Sequence, residues 1–353
     1  MSRTIPGQGI QNHEPLPIEV AKYWNGLLAP YMVASYRKAI FQLVTTLALY
    51  ALGWYAMYRS LEVSYWLTLL LAIPTSLFLV RLFIFQHDCG HGSFMPSRKA
   101  NDAVGFGLGV LMLTPYKYWR RTHAIHHGGS GDLDRRSFGD IETLTVEEYL
   151  ALTPIKRFGY RVYRNLFVLL GIGPAFQFLI KHRFPYDIPK SWKREWSSVM
   201  WTNVVAIGLF LLGWKLIGIK SVLLVQLPVT LLAGAAGMWL FYIQHQFEDT
   251  YWERHEDWSF HKAGIEGSSF YDLGAFLHWF TGNIGYHHIH HLSPRVPNYL
   301  LPKCHKENPA LAPTRPLTPL SSLKSLRLRL WDEEQHRMVG FRHLRGQRDA
   351  QSA

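Results

Sequence analysis

Regularly spaced histidines are the residues of this sequence best suited to chemistry. Two lie in H-D-C-G-H, as His87 and His91, and three lie in H-A-I-H-H, as His123, His126 and His127. Neutral imidazole is the commonest metal ligand among side chains. Residues three or four positions apart share one face of a helix. Each cluster therefore predicts imidazoles that are aimed at a common point.

A third cluster, H-H-I-H-H, repeats the H-x-x-H-H spacing through His287, His290 and His291. Its remaining histidine, His288, is expected to point elsewhere because it directly follows His287 on the helix. One such cluster alone is as typical of a polar surface helix as of a metal site. Three clusters, two of them identically spaced, favour the metal site.

His245 is a further candidate ligand, although it lies outside the three clusters. It follows a long apolar segment by two residues, as His87 follows an earlier one. Its neighbours Gln244, Gln246 and Glu248 are expected to supply hydrogen bonds to the imidazole. The alternative is a histidine that anchors the helix end at the membrane surface.

The candidate ligands are nine in number, which predicts two metal ions rather than one of about four to six ligands. Nitrogen donors suit iron, zinc, copper or nickel and disfavour calcium and magnesium. Zinc would supply Lewis-acid chemistry and iron would add redox chemistry, so the residues alone leave the metal open. The candidate ligands are His87, His91, His123, His126, His127, His245, His287, His290 and His291. The acids that could orient them are Asp88, Asp132, Asp140, Glu142, Glu248 and Asp249.

Long apolar segments are the elements that must position these side chains. A membrane span takes about 20 apolar residues. Four spans are predicted, at about 39–57, 65–85, 199–214 and 221–243. Two further apolar patches, 104–113 and 166–180, are short or broken and are predicted to be interfacial, re-entrant or core helices.

The even number of spans places all three clusters in one compartment. Two hairpins return the chain to its starting side after the second and fourth spans, and the clusters follow those spans. Residues 82–198 carry 16 Lys or Arg against 10 Asp or Glu, which marks that side as cytoplasmic. The prediction is an all-α integral membrane protein with four transmembrane helices in two hairpins and a cytosolic helical cap that carries a two-metal site.

Three parts of the chain are expected. Residues 1–38 form a cytosolic amino-terminal arm, 39–305 form the membrane domain, and 306–353 form a basic cytosolic tail. Within the tail, 322–348 is expected to lie on the membrane surface. Only the short connections at 58–64 and 215–220 are expected on the far side of the membrane.

Composition narrows the classes of function. Hydrophobic residues make up 48% of the chain and aromatic residues 14%, which suits a membrane protein. The net charge of +12 is spread among apolar segments, which favours anionic lipid headgroups over nucleic acid. Cys89 and Cys304 make no disulfide framework, which fits a reducing compartment. No nucleotide-binding or serine-hydrolase motif is found, and Gly105, Gly107 and Gly109 are expected to serve close packing.

The three clusters and their flanking residues resemble the membrane fatty acid desaturase family. That family carries three histidine boxes around four spans, and H-D-C-G-H, H-A-I-H-H and H-H-I-H-H match them. The stretches H-D-C-G-H-G-S-F, W-R-R-T-H-A-I-H-H, D-L-D-R-R and Q-H-Q-F-E-D-T-Y-W are similar to bacterial acyl-lipid desaturases of the Δ12/ω6 and Δ5 types. The likeness covers about residues 37–305 and says little about which carbon is oxidised.

The resemblance implies a di-iron centre held by the nine histidines, with dioxygen as co-substrate. It implies a cis double bond introduced into the acyl chain of a membrane lipid. The protein would be a multi-pass protein of the bacterial inner membrane, with its active site and both termini cytoplasmic. Because the sequence lacks an H-P-G-G haem motif, the implied electron donor is a separate ferredoxin or cytochrome b5.

Three alternatives remain at this point. The same scaffold could hydroxylate or epoxidise a fatty acid, or oxidise a carotenoid, and product analysis separates these reactions. A membrane haem carrier would place histidine pairs inside its spans, where this sequence has none. A metal transporter would need polar or charged groups within the spans, and only Arg81 qualifies.

Overall fold

A computed structural model describes residues 17–136, 139–312 and 316–344, and this part of the chain is mostly helical. In chain order the helices are α1 (Pro17–Leu28), α2 (Tyr36–Ser60), α3 (Tyr65–His91), α4 (Arg98–Leu111), α5 (Tyr116–Gly129), α6 (Val146–Ala151), α7 (Pro154–Tyr163), α8 (Gly173–Leu179), α9 (Lys193–Ile217), α10 (Ile219–His245), α11 (Phe260–Ile265), α12 (Gly274–Phe280), α13 (His287–Leu292), α14 (Leu301–Glu307) and α15 (Pro319–Ser322). The strands are β1 (Leu144–Thr145), β2 (Leu330–Asp332) and β3 (Arg337–Val339).

Four helices, α2, α3, α9 and α10, are long and apolar enough to cross a membrane. They coincide with the four predicted spans, but each helix extends beyond the apolar segment. The predicted connection at 215–220 was wrong in extent, since Gly218, with a φ of 81°, alone separates α9 from α10. Hydropathy marks only the residues that suit the bilayer, whereas a helix can continue through polar residues because its hydrogen bonds are made by the backbone. The helix ends therefore lie outside the apolar limits.

The central helix is α3, which packs against α2, α10, α4 and α5. Half of the apolar stretch of α3 is buried, whereas only 6% of the apolar stretch of α9 is buried. The surface of α9 is therefore free to contact lipid. The approach to α2 is close because a Cβ atom at Gly53 would lie 2.5 Å from Oγ1 of Thr75. This packing makes α3 the support for the first histidine pair at its carboxyl end.

The glycine run in α4 allows the same kind of close approach to the start of α5. A Cβ atom at Gly105 would lie 2.3 Å from the ring of Tyr116, and one at Gly109 would lie 2.4 Å from the carbonyl oxygen of Thr114. Gly107 faces open space. The predicted packing role is confirmed for two of the three glycines, and the patch at 104–113 belongs to a helix that packs into the core.

The second apolar patch, 166–180, forms a π-helical turn, Val168–Ile172, followed directly by α8. Together with α7 this segment could make a broken fifth span or a re-entrant loop, with a bend of 60°. Several of its large apolar side chains are exposed, Phe167 most of all, whereas Leu169 is buried. The segment is therefore a bent helical segment that exposes apolar side chains, as a lipid-facing surface would, rather than a core helix.

The described residues of the predicted arm and tail both pack against the rest of the chain. Trp24 and Leu28 of α1 are buried beside Cys304. The carboxyl-terminal segment adds β2, which pairs in parallel with β1, and β3, which pairs antiparallel with β2. This small sheet departs from the all-α prediction, because strands of two or three residues leave no periodic signal. The described part of 322–348 is accordingly a short helical turn and two strands, with Trp331 buried.

Candidate metal centre

The last turn of α3 carries the first histidine pair. His87 and His91 lie one turn apart, with ring centroids separated by 4.8 Å. The helix ends directly after them because Gly92 adopts the left-handed conformation, with a φ of 74°. The N–H of Ser93 then donates to the carbonyl of Asp88 at 3.0 Å. The chain reversal at this point fixes where both imidazoles lie.

The other two clusters and His245 meet the first pair at the same place. α5 carries His123, His126 and His127, and α13 carries His287, His290 and His291. His245 is the last residue of α10. Ring centroids of His87 and His123 are 4.9 Å apart, and those of His245 and His287 are also 4.9 Å apart. All nine candidate imidazoles are therefore gathered into one site.

The ring nitrogens form two groups. Five histidines, called here the first group, offer nitrogens that all lie within 4.8 Å of one another: His87, His91, His123, His127 and His290. His126, His245 and His291 meet the same criterion separately. His287 is not part of that set of three, but its Nε2 lies 3.0 Å from Nε2 of His245, and we count it as the fourth member of a second group. Each group could hold one metal ion.

Distances and unpaired nitrogens both fit metal binding. Nε2 of His127 lies 3.1 Å from Nε2 of His123 and 3.1 Å from Nε2 of His290. Two nitrogens bound at right angles about 2.1 Å from a metal lie about 3.0 Å apart. The buried Nε2 atoms of His91, His126 and His291 have no hydrogen-bond partner among the described residues. Buried polar atoms without a partner are rare, and a bound metal ion accounts for these.

The protonation state of the site also suits metal ligation. Burial lowers the pKa of five imidazoles well below that of a free histidine, and the neighbouring imidazoles oppose added positive charge as well. These are His123, His127, His287, His290 and His291. Neutral imidazole is the form that binds a metal. These five imidazoles are therefore favoured in the form that can bind a cation.

Comparison with known proteins identifies the chain. The profile of the fatty acid desaturase family matches residues 63–320. A fatty acid desaturase of Bacillus subtilis (strain 168) is 43% identical over 318 residues, which is 90% of each chain. The chain belongs to the fatty acid desaturase family. Its membership makes it an oxidoreductase that desaturates fatty acyl chains.

Plant relatives are more distant from this desaturase. The omega-3 fatty acid desaturase of the endoplasmic reticulum from Vigna radiata var. radiata is 30% identical over 236 residues, or 62% of this chain and 59% of the relative. The sn-2 acyl-lipid omega-3 desaturase (ferredoxin), chloroplastic, from Helianthus annuus is 30% identical over 238 residues, or 62% and 50%. The resemblance inferred from the histidine boxes is thus confirmed at the level of the family.

Two carboxylates orient histidines of the desaturase by contacting the ring nitrogen that faces away from the centre. Oδ1 of Asp88 lies 3.2 Å from Nδ1 of His87, and its other oxygen accepts the backbone and side-chain N–H groups of Asn298 at 2.7 and 2.9 Å. Asp140 hydrogen-bonds Nδ1 of His126. A fixed Nδ1 turns Nε2 toward the centre, as is usual for metal-bound histidine. Of the six candidate acids, Asp88 and Asp140 take this role.

The predicted partners of His245 were wrong. Its Nδ1 lies 3.2 Å from the carbonyl oxygen of Gly267. Gln244 donates instead to the carbonyl of Ile284, and Gln246 bonds Thr143. Gln244 lies about 100° from His245 around α10, and the helix ends before Gln246, so neither side chain shares the face of the imidazole.

The other histidines among the described residues lie outside both groups. His288 is buried, but its Nε2 meets the carbonyl of Leu311 at 2.9 Å, on the side of α13 away from the site. His255 bonds Asp132 at 2.7 Å, which removes that acid from the site as well. His182, His261, His278 and His305 likewise belong to neither group.

Reasoning from the sequence missed several residues at the desaturase site. The ring of Trp119 stacks on His123 at 4.4 Å, and Oγ of Ser130 lies 3.5 Å from Nδ1 of His245. Asn298, which holds Asp88, lies in an unpatterned loop. Trp119 at i−4 from His123 could have been found from helical spacing. Ser130 and Asn298 are brought to the site only by the fold.

Proposed function

We propose that this desaturase is a di-iron membrane enzyme that introduces one cis double bond into the acyl chain of a membrane lipid. The observation that carries the proposal is the pair of adjacent imidazole groups, five nitrogens and four, at the ends of two apolar helices. When bound, two irons supply the oxidising chemistry: dioxygen, two electrons and two protons take two hydrogens from adjacent acyl carbons and give an alkene and two waters.

The protein side chains would hold and shield this centre. The first group would hold one iron and the second group the other, with Asp88 and Asp140 fixing one imidazole in each. The ring of Phe241 lies 5.2 Å from that of His126 and 5.4 Å from that of His245. Together with Trp119 it surrounds the histidines with apolar surface. Such surface excludes water and accepts a hydrocarbon chain.

Purified enzyme tests the ligand set. His245→Ala should lose one iron and most activity, because losing even an orienting residue typically costs about 10–100-fold and a ligand more. His336, which is 66% exposed, provides the control His336→Ala. If His245→Ala keeps two irons per chain and near-normal turnover, His245 is not a ligand and the site has eight histidines.

The reaction is tested by fatty acid analysis of a host that lacks the new product. Expression with a ferredoxin or cytochrome b5 system should yield an additional cis-unsaturated acid on gas chromatography, and His91→Ala should abolish it. The Helianthus annuus relative is named as a ferredoxin-type desaturase, which supports a ferredoxin as donor. An oxygenated acid without a new alkene would support a hydroxylase instead.

The proposed setting is the bacterial inner membrane, with two hairpins, a cytosolic cap and cytoplasmic termini. A single introduced cysteine reports the side, because Cys89 and Cys304 are both buried. Glu62→Cys, between α2 and α3, should react with an impermeant reagent in intact cells. Arg135→Cys, next to the second box and 57% exposed, should react only after lysis. Labelling of Arg135→Cys in intact cells would contradict the topology.

A further inference from the structure

Arg164, directly after α7, is a buried cation whose hydrogen bonds go to neutral acceptors. Its side chain is 1% exposed, and no carboxylate in the described residues forms a salt bridge with it. Burying a charge is costly unless several hydrogen bonds replace the lost water. A residue kept under these conditions is expected to have a role that an apolar side chain would not fill.

The guanidinium joins three segments that are distant in sequence. One terminal nitrogen donates to the carbonyl of Glu142 at 2.8 Å and to Oγ1 of Thr143 at 3.1 Å. The other donates to Oε1 of Gln246 at 2.7 Å and lies 3.5 Å from the carbonyl of Leu328. The ring centroids of Tyr160 and Tyr242 lie 6.0 and 5.8 Å from the guanidinium carbon. The planar fork of arginine suits such a junction, since a lysine ammonium is a single point.

Two of these segments lead directly to the second histidine group. Gln246 follows His245, and its amide also bonds Thr143 at 3.0 Å. Glu142 and Thr143 closely follow Asp140, whose carboxylate holds His126. Arg164 therefore braces the chain beside two of the four histidines of that group. None of its hydrogen bonds in the described structure reaches α3, α5 or α13, which carry the first group.

We propose that Arg164 is a positioning residue for the second metal of the centre and not for the first. The proposal rests on the two-metal function proposed above. Without the guanidinium, the hydrogen bonds that join Gln246 to the 142–143 segment through Arg164 are lost. The neighbouring His245 and Asp140 are then no longer held in a fixed relative position. The second group should then bind iron about 10-fold or more weakly, while the first group keeps its ion.

Iron content of the purified full chain tests the proposal. Wild type and the control Arg161→Met, an exposed arginine one turn earlier in α7, should hold two irons per chain. Arg164→Met should hold about one after dialysis against a weak chelator. Adding His245→Ala to Arg164→Met should remove no more iron, whereas adding His91→Ala should remove the rest. This pattern identifies which ion is lost, which a general loss of folding would not do.

Two outcomes would overturn the proposal. One is Arg164→Met protein that retains both irons at every chelator concentration that wild type tolerates. The other is equal loss from both groups, seen as further loss on adding His245→Ala. If Arg164→Met does not purify, Gln246→Ala provides a second test, because it removes one acceptor and leaves Arg164 in place. This variant should show the same selective loss of one iron. Retention of both irons by Gln246→Ala would also overturn the proposal. Wild type with fewer than two irons would instead refute the di-iron function itself.

Discussion

The H-x-x-H-H spacing divides its imidazoles between the two groups. On a helix, position i+4 lies about 40° from position i, whereas i+3 lies about 60° from it on the other side. His123 and His127 therefore share the first group, and His126 joins the second. In α13 the arrangement is reversed, because His290 joins the first group while His287 and His291 belong to the second. One motif used twice thus supplies both proposed metals.

The carboxylates behind the histidines give a test at the residue scale. Asp140→Asn should weaken metal binding by the second group about 10–100-fold, because an amide no longer stabilises the orientation and tautomer of His126 as a carboxylate does. Asp88→Asn should act in the same way on the first group through His87. Iron retained during titration with a chelator measures both effects.

A third carboxylate serves as the control for these substitutions. Asp134 is 44% exposed and pairs with Arg254 away from the histidines, so Asp134→Asn should retain iron as wild type does. If all three variants release iron alike, general instability rather than histidine orientation is responsible. If Asp140→Asn and wild type release iron alike, Asp140 has no orienting role.

The nine candidate ligands could be predicted because imidazole spacing and helical periodicity are local. Their division into two groups could not, since it depends on how α3, α5, α10 and α13 approach one another. The same holds for the support of His245. Its neighbours in sequence were the natural expectation, whereas Gly267, which lies 22 positions later, provides the carbonyl. Contacts of this range exist only after folding.

At the scale of elements, α5 depends on its contact with α4. Gly105→Ala would place a Cβ atom 2.3 Å from the ring of Tyr116, whose hydroxyl donates to the carbonyl of Cys89 at 2.7 Å. The ring cannot move freely, so the start of α5 must shift and carry the second histidine box with it. Overpacking of this kind typically costs about 1–3 kcal/mol. A lower thermal unfolding midpoint and a loss of bound iron are expected.

Gly107 offers a matched control in the same helix. A Cβ atom there meets nothing within 4 Å, so Gly107→Ala removes only the flexibility of glycine. Alanine is favoured over glycine in a helix by about 1 kcal/mol. This variant should therefore be as stable as wild type or more so, with its iron intact. Equal destabilisation by both substitutions would show that the close contact at Gly105 is not the cause.

Spans could be predicted from the sequence better than helix ends. Hydropathy located all four long helices, but α10 continues through the apolar limit to His245, and α3 continues to His91. Those last turns are the ones that hold ligands. A cap such as Gly92 marks an end by backbone conformation, which no apolar pattern reports. Boundaries at the site therefore required the structure.

At the scale of the whole molecule, both ends of the described chain pack against segments that carry or follow the histidine boxes. α1 packs behind α13 and α14, and the carboxyl-terminal segment closes over the loop that follows the second box. Polar composition suggested an arm and a tail, because a few buried apolar residues among many charges give no periodic pattern. Trp331 shows the limit of that inference, since it is buried against Leu133 and Trp252.

The carboxyl-terminal segment should therefore be required for folding. Ending the chain at residue 315 removes β2, β3 and five buried apolar side chains: Leu330, Trp331, Met338, Val339 and Leu344. Each contributes roughly 1.5–3 kcal/mol, which together rivals a total stability of about 5–15 kcal/mol. The truncation also removes the carbonyls of Ser325 and Leu328 that accept from the buried Tyr242 hydroxyl of α10 at 2.9 and 2.8 Å, three residues before His245.

Size-exclusion chromatography in detergent should show aggregation and little bound iron. A chain ended at Leu344 keeps the sheet and should elute as wild type does; if the shorter chain also elutes so and binds two irons, the segment is dispensable.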